Sequence, residues 1–330
     1  MVQLALLGAG RIGQVHARAV SSHPDANLKY VFDPVDSAAL SVQRVYGATP
    51  ASLEVILDDP EVAGVLVCTP SDQHAQQIVQ AIDAGKAVFC EKPIATDLEE
   101  TRRTLEHVSH KNGLLMLGFQ RRFDNNFRAL KTRLPDMGQI EQLIITSRDP
   151  APPPYSYMRS SGGLFKDMMI HDFDVARWLV GEEIASVYAV GNALVDPDTA
   201  SKGEDIDTAS VLMTTVGGRQ VTILNSRRAT YGYDQRIEVH CEKGMLQAQS
   251  VRESSLVVAD QSGIAERPLQ NFFMDRYVQA YASEIVHFVD SLLAGKEPEV
   301  NGNDGLQALV LASAAKESLL LGEPVVLATR

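Results

Sequence analysis

The first 33 residues constrain the fold more than any other stretch of the chain. Val2–Leu7 is a short apolar run, Gly8-Ala9-Gly10-Arg11-Ile12-Gly13 follows, then a helical stretch, then Leu28-Lys29-Tyr30-Val31-Phe32-Asp33. The order reads as buried strand, G-x-G-x-x-G turn, helix, and a second strand ending in a carboxylate 20 residues past the last glycine. Glycines alone are weak evidence. Together with strand, helix and spaced acid they specify a dinucleotide site. Gly8 permits the tight turn, Gly10 lets main-chain N–H groups approach a pyrophosphate, and Gly13 lets the helix pack on the strand. The phosphates then meet the orphan N–H donors and positive dipole end of a helix. Asp33 is expected on the adenosine ribose. Pro34, Val35 and Asp36 follow it, with no Arg or Lys to receive a 2′-phosphate, so NAD is favoured over NADP.

A chain of 330 residues suggests two domains. The formal net charge of −12 argues against a surface that tracks phosphates, so no nucleic-acid partner is expected. No apolar run approaches the ~20 residues a membrane helix needs. The chain enters its first strand at once, leaving no room for a signal peptide. Cys68, Cys90 and Cys241 are scattered and odd in number, which reads as buried thiols in a reducing compartment. A cytoplasmic protein without a bound metal is the expectation.

Up to residue 120 strand and helix alternate. Val62–Thr69, Ala87–Cys90 and Leu114–Gly118 read as strands, and Asp72–Ala84 and Asp97–Asn112 as helices. This predicts an α/β fold, an N-terminal Rossmann domain (1–120) with a doubly wound parallel sheet. Ligands then bind beyond the carboxyl ends of its strands. Residues 121–330 read as an α+β domain for substrate binding and oligomerisation. In it, helices over 123–134 and 168–180 and a proline-rich loop at 149–155 accompany repeated short β-like runs between 184 and 259. The runs are Val187–Val190, Thr208–Thr215, Gln220–Ser226, Arg236–Cys241, Met245–Ala248 and Ser255–Ala259, and two closing helices, 275–294 and 305–321, follow. They imply a large open, mostly antiparallel sheet. With helices on one face only, the bare face suits a homo-oligomer, dimer or tetramer.

Three segments carry candidate chemistry. Thr69-Pro70-Ser71-Asp72-Gln73-His74 leaves a strand and opens a helix, which suits a loop pressed against a cofactor and equally an ordinary helix cap. His74 by itself reads as a surface histidine. Glu91-Lys92-Pro93 ends a strand on the cofactor side; Lys92 suits a donor to a substrate hydroxyl, and equally a solvated lysine. Asp167 and His171 lie four apart on one helix face, an arrangement fitting either a general base with its orienting acid or a cap beside a histidine. Arg121, Arg122 and Arg148 lie at strand ends, and Tyr155, Tyr157, Tyr231 and Tyr233 carry hydroxyls suited to a polyol, though any one of them reads by default as surface.

Over essentially its whole length the chain resembles the glucose–fructose oxidoreductase, inositol dehydrogenase and rhizopine catabolism (Gfo/Idh/MocA) family. The resemblance is carried by GAGRIG at 8–13, CTPSDQHAQQIVQAIDAGKAVFCEKP at 68–93, GFQRRFD at 118–124 and SGGLFKDMMIHDFDVARWL at 161–179. SRDPAPPP at 147–154, NSRRATYGYDQRIEV at 225–239 and NFFMDRY at 271–277 resemble the inositol-oxidising branch. The resemblance implies that Lys92, Asp167 and His171 form a catalytic triad. It implies NAD on Gly8, Gly10, Arg11, Ile12, Gly13, Asp33, Thr69, Pro70, His74, Glu91 and Lys92, and a polyol on Lys92, Arg122, Tyr155, Asp167, His171 and Tyr233. The implied reaction is oxidation of a cyclic polyol hydroxyl to a ketone, myo-inositol to 2-keto-myo-inositol (scyllo-inosose). Scyllo-inositol, another cyclitol or an aldose are alternative substrates, and an NAD(H)-binding regulator without activity is a further alternative.

Overall fold

The computed structural model describes residues 1–327. Two compact units are present, one of Met1–Phe123 with Val278–Leu309, the other of Asp124–Tyr277 with the chain from Val310 onward.

The first unit follows the expected alternation: β1 (Val2–Leu7), α1 (Arg11–Ser21), β2 (Ala26–Phe32), α2 (Asp36–Tyr46), β3 (Thr49–Pro50), α3 (Leu53–Asp58), β4 (Val62–Val67), α4 (Ser71–Asp83), β5 (Ala87–Glu91), α5 (Leu98–His110) and β6 (Leu115–Gly118). The six strands are parallel in the order β3-β2-β1-β4-β5-β6. β1 and β4 are central, and Leu4–Leu7 and Val65–Val67 are fully buried. Both faces of these strands are covered, which is why they read as apolar runs without alternation. Ser52 and Asp97 cap α3 and α5, accepting from the N–H groups of Val55 and Glu100.

The second unit contains α6 (Asn125–Arg133), β7 (Ile140–Arg148), α7 (Tyr155–Ser161), α8 (Gly163–Asp167), α9 (Ile170–Val180), β8 (Ile184–Asn192), β9 (Thr208–Thr215), β10 (Gln220–Ser226), β11 (Asp234–Cys241), β12 (Gly244–Ala248), β13 (Val257–Asp260), β14 (Gly263–Glu266) and α10 (Phe273–Arg276). After it come α11 (Val278–Ala294), α12 (Gly302–Leu321) and β15 (Val325–Val326). Seven strands form one sheet in the order β12-β11-β7-β10-β9-β8-β15, antiparallel except for the parallel pair β7–β10. Burial alternates along β9, with Ala209, Val211 and Met213 inside and Ser210 and Leu212 outside, as a half-covered sheet requires.

Four local readings change. The run expected at 255–259 lies in a separate hairpin, β13–β14, whose strand residues are all exposed. The helix expected over 123–134 begins two residues later, at Asn125, because Asp124 accepts from the N–H groups of Asn126 and Phe127. The proline-rich loop expected over 149–155 gives way at Tyr155 to a helix, Tyr155–Ser161, that ends at Gly162, whose φ of +86° is left-handed. The first unit also reclaims 278–309 from the stretch read as the second domain. Phe288 of α11 packs edge-on against Phe89 of β5, and Tyr281 against His16 of α1.

Candidate active site

The glycine turn matches its expected division of labour. Gly8 has φ +96°, and a Cβ there would lie 2.6 Å from the Cys68 carbonyl. A Cβ on Gly13 would sit 2.0 Å from the Gly8 oxygen, so no larger residue fits. A Cβ on Gly10 would meet nothing within 4 Å. Gly10 is also the N-terminal cap of α1, with no side chain covering the helix's first N–H groups. The open space lies where a phosphate approaches a helix N-terminus, so these residues fit a dinucleotide. Arg11 and Ile12 open α1 beside it. Asp33 follows β2; its Oδ2 accepts from the Ala9 N–H at 2.7 Å and its Oδ1 from the Val35 N–H at 2.8 Å. It therefore braces the turn as well as standing where the ribose is expected, with lone pairs to spare on each oxygen.

The β4–α4 loop and the Glu91-Lys92-Pro93 turn are joined by a residue that reads from sequence as a surface histidine. His74 is 1% exposed; its Nδ1 lies 2.7 Å from the Pro93 oxygen and its Nε2 2.8 Å from the Thr69 oxygen. Burial holds its pKa below the usual imidazole range, against the pull of the two carbonyls. A neutral imidazole carries one N–H, so His74 donates to one of these oxygens and packs against the other, beneath both loops. The Thr69 hydroxyl donates to Gln77 Oε1 at 2.6 Å, and Pro70 caps α4. The Lys92–Pro93 bond is cis. Glu91 turns inward, its Oε1 2.7 Å from His16 Nε2. Burial, reinforced by the charge of Glu91, pushes the carboxyl of the fully buried Glu284 well up. Arg122 is buried too, its Nη2 2.8 Å from Asp304 Oδ1. That pairing ties the turn after β6 to the first turn of α12.

In the second unit Asp167 and His171 do not share one continuous helix. Asp167 ends α8 and His171 is the second residue of α9. Between them the N–H groups of Met168 and Met169 both reach the Leu164 oxygen, at 3.0 and 2.9 Å, widening the turn locally. Asp167 Oδ1 accepts from the Tyr157 hydroxyl at 3.0 Å, and Arg227 Nη2 lies 3.3 Å from Oδ2. Neither partner stood among the expected site residues; Tyr157 had been noted only as one of several tyrosines. Tyr155 points elsewhere, its hydroxyl donating to Asp196, a bond that pushes its pKa up to about 12. Tyr233 is buried, its ring edge-on to Tyr277 and its N–H donating to the Gln270 oxygen at 2.9 Å. Below α9, Asp172 accepts from Ser147 Oγ at 2.6 Å and Asn225 Nδ2 at 2.9 Å, and Ser147 Oγ also lies 3.0 Å from Gln235 Oε1. This buried network pins the start of the helix that carries His171 to the sheet.

Residues 2–119 match the family described as "Oxidoreductase family, NAD-binding Rossmann fold", and residues 133–247 match the "GFO/IDH/MocA C-terminal domain". The chain belongs to the GFO/IDH/MocA oxidoreductase family. Among its GFO/IDH/MocA relatives, the inositol 2-dehydrogenase of Rhizobium meliloti (strain 1021) is 48% identical over 320 residues, covering 96% of this chain and 97% of that one. The crystal structure of a myo-inositol dehydrogenase from Corynebacterium glutamicum superposes with a TM-score of 0.95 at 37% identity, covering 100% of both chains. That of scyllo-inositol dehydrogenase from Lactobacillus casei, with bound NAD(H) and scyllo-inositol, gives 0.91 at 32% identity and covers 99% of each. The fold class read from the sequence is the one these relatives share, and NAD is the cofactor of the GFO/IDH/MocA Rossmann domain. Among the described residues, no helix is long and apolar enough to cross a membrane, and no group of side chains has the makings of a metal site.

Proposed function

We propose that this chain oxidises a hydroxyl of a cyclic polyol, myo-inositol giving 2-keto-myo-inositol, with NAD as its cofactor. The observation that carries the reading is full-length similarity, at 48% identity, to an inositol 2-dehydrogenase. Lys92, Asp167 and His171 accompany it at the motif positions where the family resemblance puts the catalytic groups.

Gly8–Gly13 and Asp33 would hold NAD, which would supply the hydride acceptor. His171 acts as the general base that takes the proton of the reacting hydroxyl. Lys92 donates a hydrogen bond to the same oxygen and stabilises the alkoxide character that develops there. Asp167 orients His171 or receives a neighbouring ring hydroxyl. Arg122, Tyr155 and Tyr233 rank lower as ring-hydroxyl partners, because each is engaged or buried within its own unit. The similarity to a scyllo-inositol dehydrogenase supports a second reading, in which the preferred stereoisomer is scyllo-inositol.

The same reading makes the protein a homo-oligomer through the open face of the seven-stranded sheet. It also places the protein in the cytoplasm, where the free, buried Cys68, Cys90 and Cys241 stay reduced.

The test is NADH formation from NAD with a panel of inositols and aldoses. Turnover with an inositol and a preference for NAD over NADP are expected. Lys92→Ala and His171→Ala should each lower kcat by about a thousandfold while NADH affinity stays within a few-fold. NADH binding without turnover on any polyol would instead mark a regulator.

A further inference from the structure

One buried guanidinium joins the carboxylate of Asp167 to the proline-rich loop. Arg227, the first residue after β10, is 2% exposed. Its Nη2 lies 3.3 Å from Asp167 Oδ2 and its Nη1 3.6 Å from Asp149 Oδ2. Asp149 is the first residue after β7 and opens the segment Asp149–Pro154. The main chain locks the arrangement on both sides. The Arg227 N–H donates to the Asp207 oxygen at 2.8 Å, and the Asp149 N–H donates to the Ser226 oxygen at 3.0 Å. Asp205, a further acid within the field of Arg227, accepts from the Leu164 N–H at 2.8 Å at the base of α8.

A guanidinium keeps its charge when buried, so it demands carboxylates around it. Its planar fork reaches two carboxylates in different directions, which a single ammonium does not. With Tyr157 on the other oxygen, Asp167 is gripped from both ends yet keeps lone pairs for a further donor.

We propose that Arg227 is a positioning residue for the reaction. It holds Asp167 as an oriented carboxylate and couples the 149–154 loop to it, so that loop placement and acid placement move together. This rests on the assignment of Asp167 to the active site.

The experiment compares full-length Arg227→Lys, Arg227→Met and Asp149→Asn with the wild type. It measures kcat and KM for myo-inositol across pH, NADH affinity, and the Asp167 carboxyl titration by 13C NMR. Arg227→Met should lose about a hundredfold in kcat with NADH affinity within a few-fold, and its acid limb should move to higher pH, because a carboxylate that loses its cationic neighbour protonates more readily. Arg227→Lys should recover much of kcat and the acid limb while KM stays raised. Asp149→Asn should raise KM about tenfold and lower kcat several-fold, because the loop and Asp167 are placed together. If Arg227→Met fails to fold, the other two variants decide: wild-type KM and pH profile in both would overturn the proposal. A wild type inactive on every polyol would overturn the assignment of Asp167. The NMR titration still reads Arg227 in that case, and an Asp167 titration unmoved in Arg227→Met would overturn the proposal.

Discussion

At the residue scale, the glycines of the first turn separate two demands that the motif merges. Gly13 answers to packing: its missing side chain makes room for the Gly8 carbonyl. Gly10 answers to no packing demand, because the fold leaves space there for a methyl group and its φ of −67° suits any L-residue, which leaves a ligand as the reason for it. Gly13→Ala is therefore expected to lower the melting temperature by roughly 5 °C or more through overpacking. Gly10→Ala should keep the wild-type melting temperature and weaken NADH binding at least about tenfold. Thermal unfolding beside NADH fluorescence titration checks the pair, and a Gly10→Ala protein that binds NADH normally would refute the assignment. His74 teaches the converse. Its position in the first turn of α4 gave no sign that its two ring nitrogens would face main-chain oxygens of two separate loops. Side-chain direction on a helix depends on where the sheet lies, and local pattern carries no such information.

At the element scale, α7 is held by a latch outside the catalytic side chains. Its first residue, Tyr155, donates to Asp196, and the loop carrying Asp196 is itself gathered by Asp207, which accepts from the N–H groups of Leu194, Val195 and Asp196. A phenol whose folded pKa is raised stabilises the fold fully below its unfolded value near 10, and loses that contribution as pH climbs through about 12. Wild type should thus exceed Tyr155→Phe in urea midpoint at pH 8, and the gap should close between about pH 10 and 12. A constant gap across that range would exclude the latch. The broken helix between Asp167 and His171 belongs to this scale too. Spacing of four predicts one shared face, but the widened turn at Met168 and Met169 gives each residue its own helix end. Asp167 then meets Tyr157 and Arg227, which lie 10 and 60 residues away in sequence.

At the scale of the whole molecule, the seven-stranded sheet leaves Tyr188, Val190, Leu212 and Met245 between 37% and 48% exposed. Apolar side chains repeated across adjacent strands on an uncovered face are the mark of a surface meant to be buried. The protein is expected to sediment as a dimer or tetramer, and Leu212→Glu should shift it towards monomer with its secondary structure intact. A wild type that is monomeric at micromolar concentration would remove this interface. The parallel sheet of the first unit was visible in the alternation of strand and helix, and the run that became β9 was visible too, because such patterns are local properties. The reclaiming of 278–309 by the first unit was not visible, since an amphipathic helix does not announce which of two cores it will cover.

The sequence by itself determined the dinucleotide fold and NAD as its cofactor, and it singled out Lys92, Asp167 and His171 as the candidates for catalysis. Each rests on short spacing or on a motif that keeps its residues together. Tertiary structure alone decided that His74 faces main-chain oxygens of two loops, that Arg122 pairs with Asp304, and that Asp167 is gripped by Tyr157 and Arg227. Those partnerships join side chains far apart in the chain. Which polar group satisfies which is settled only when burial removes water as the competing partner.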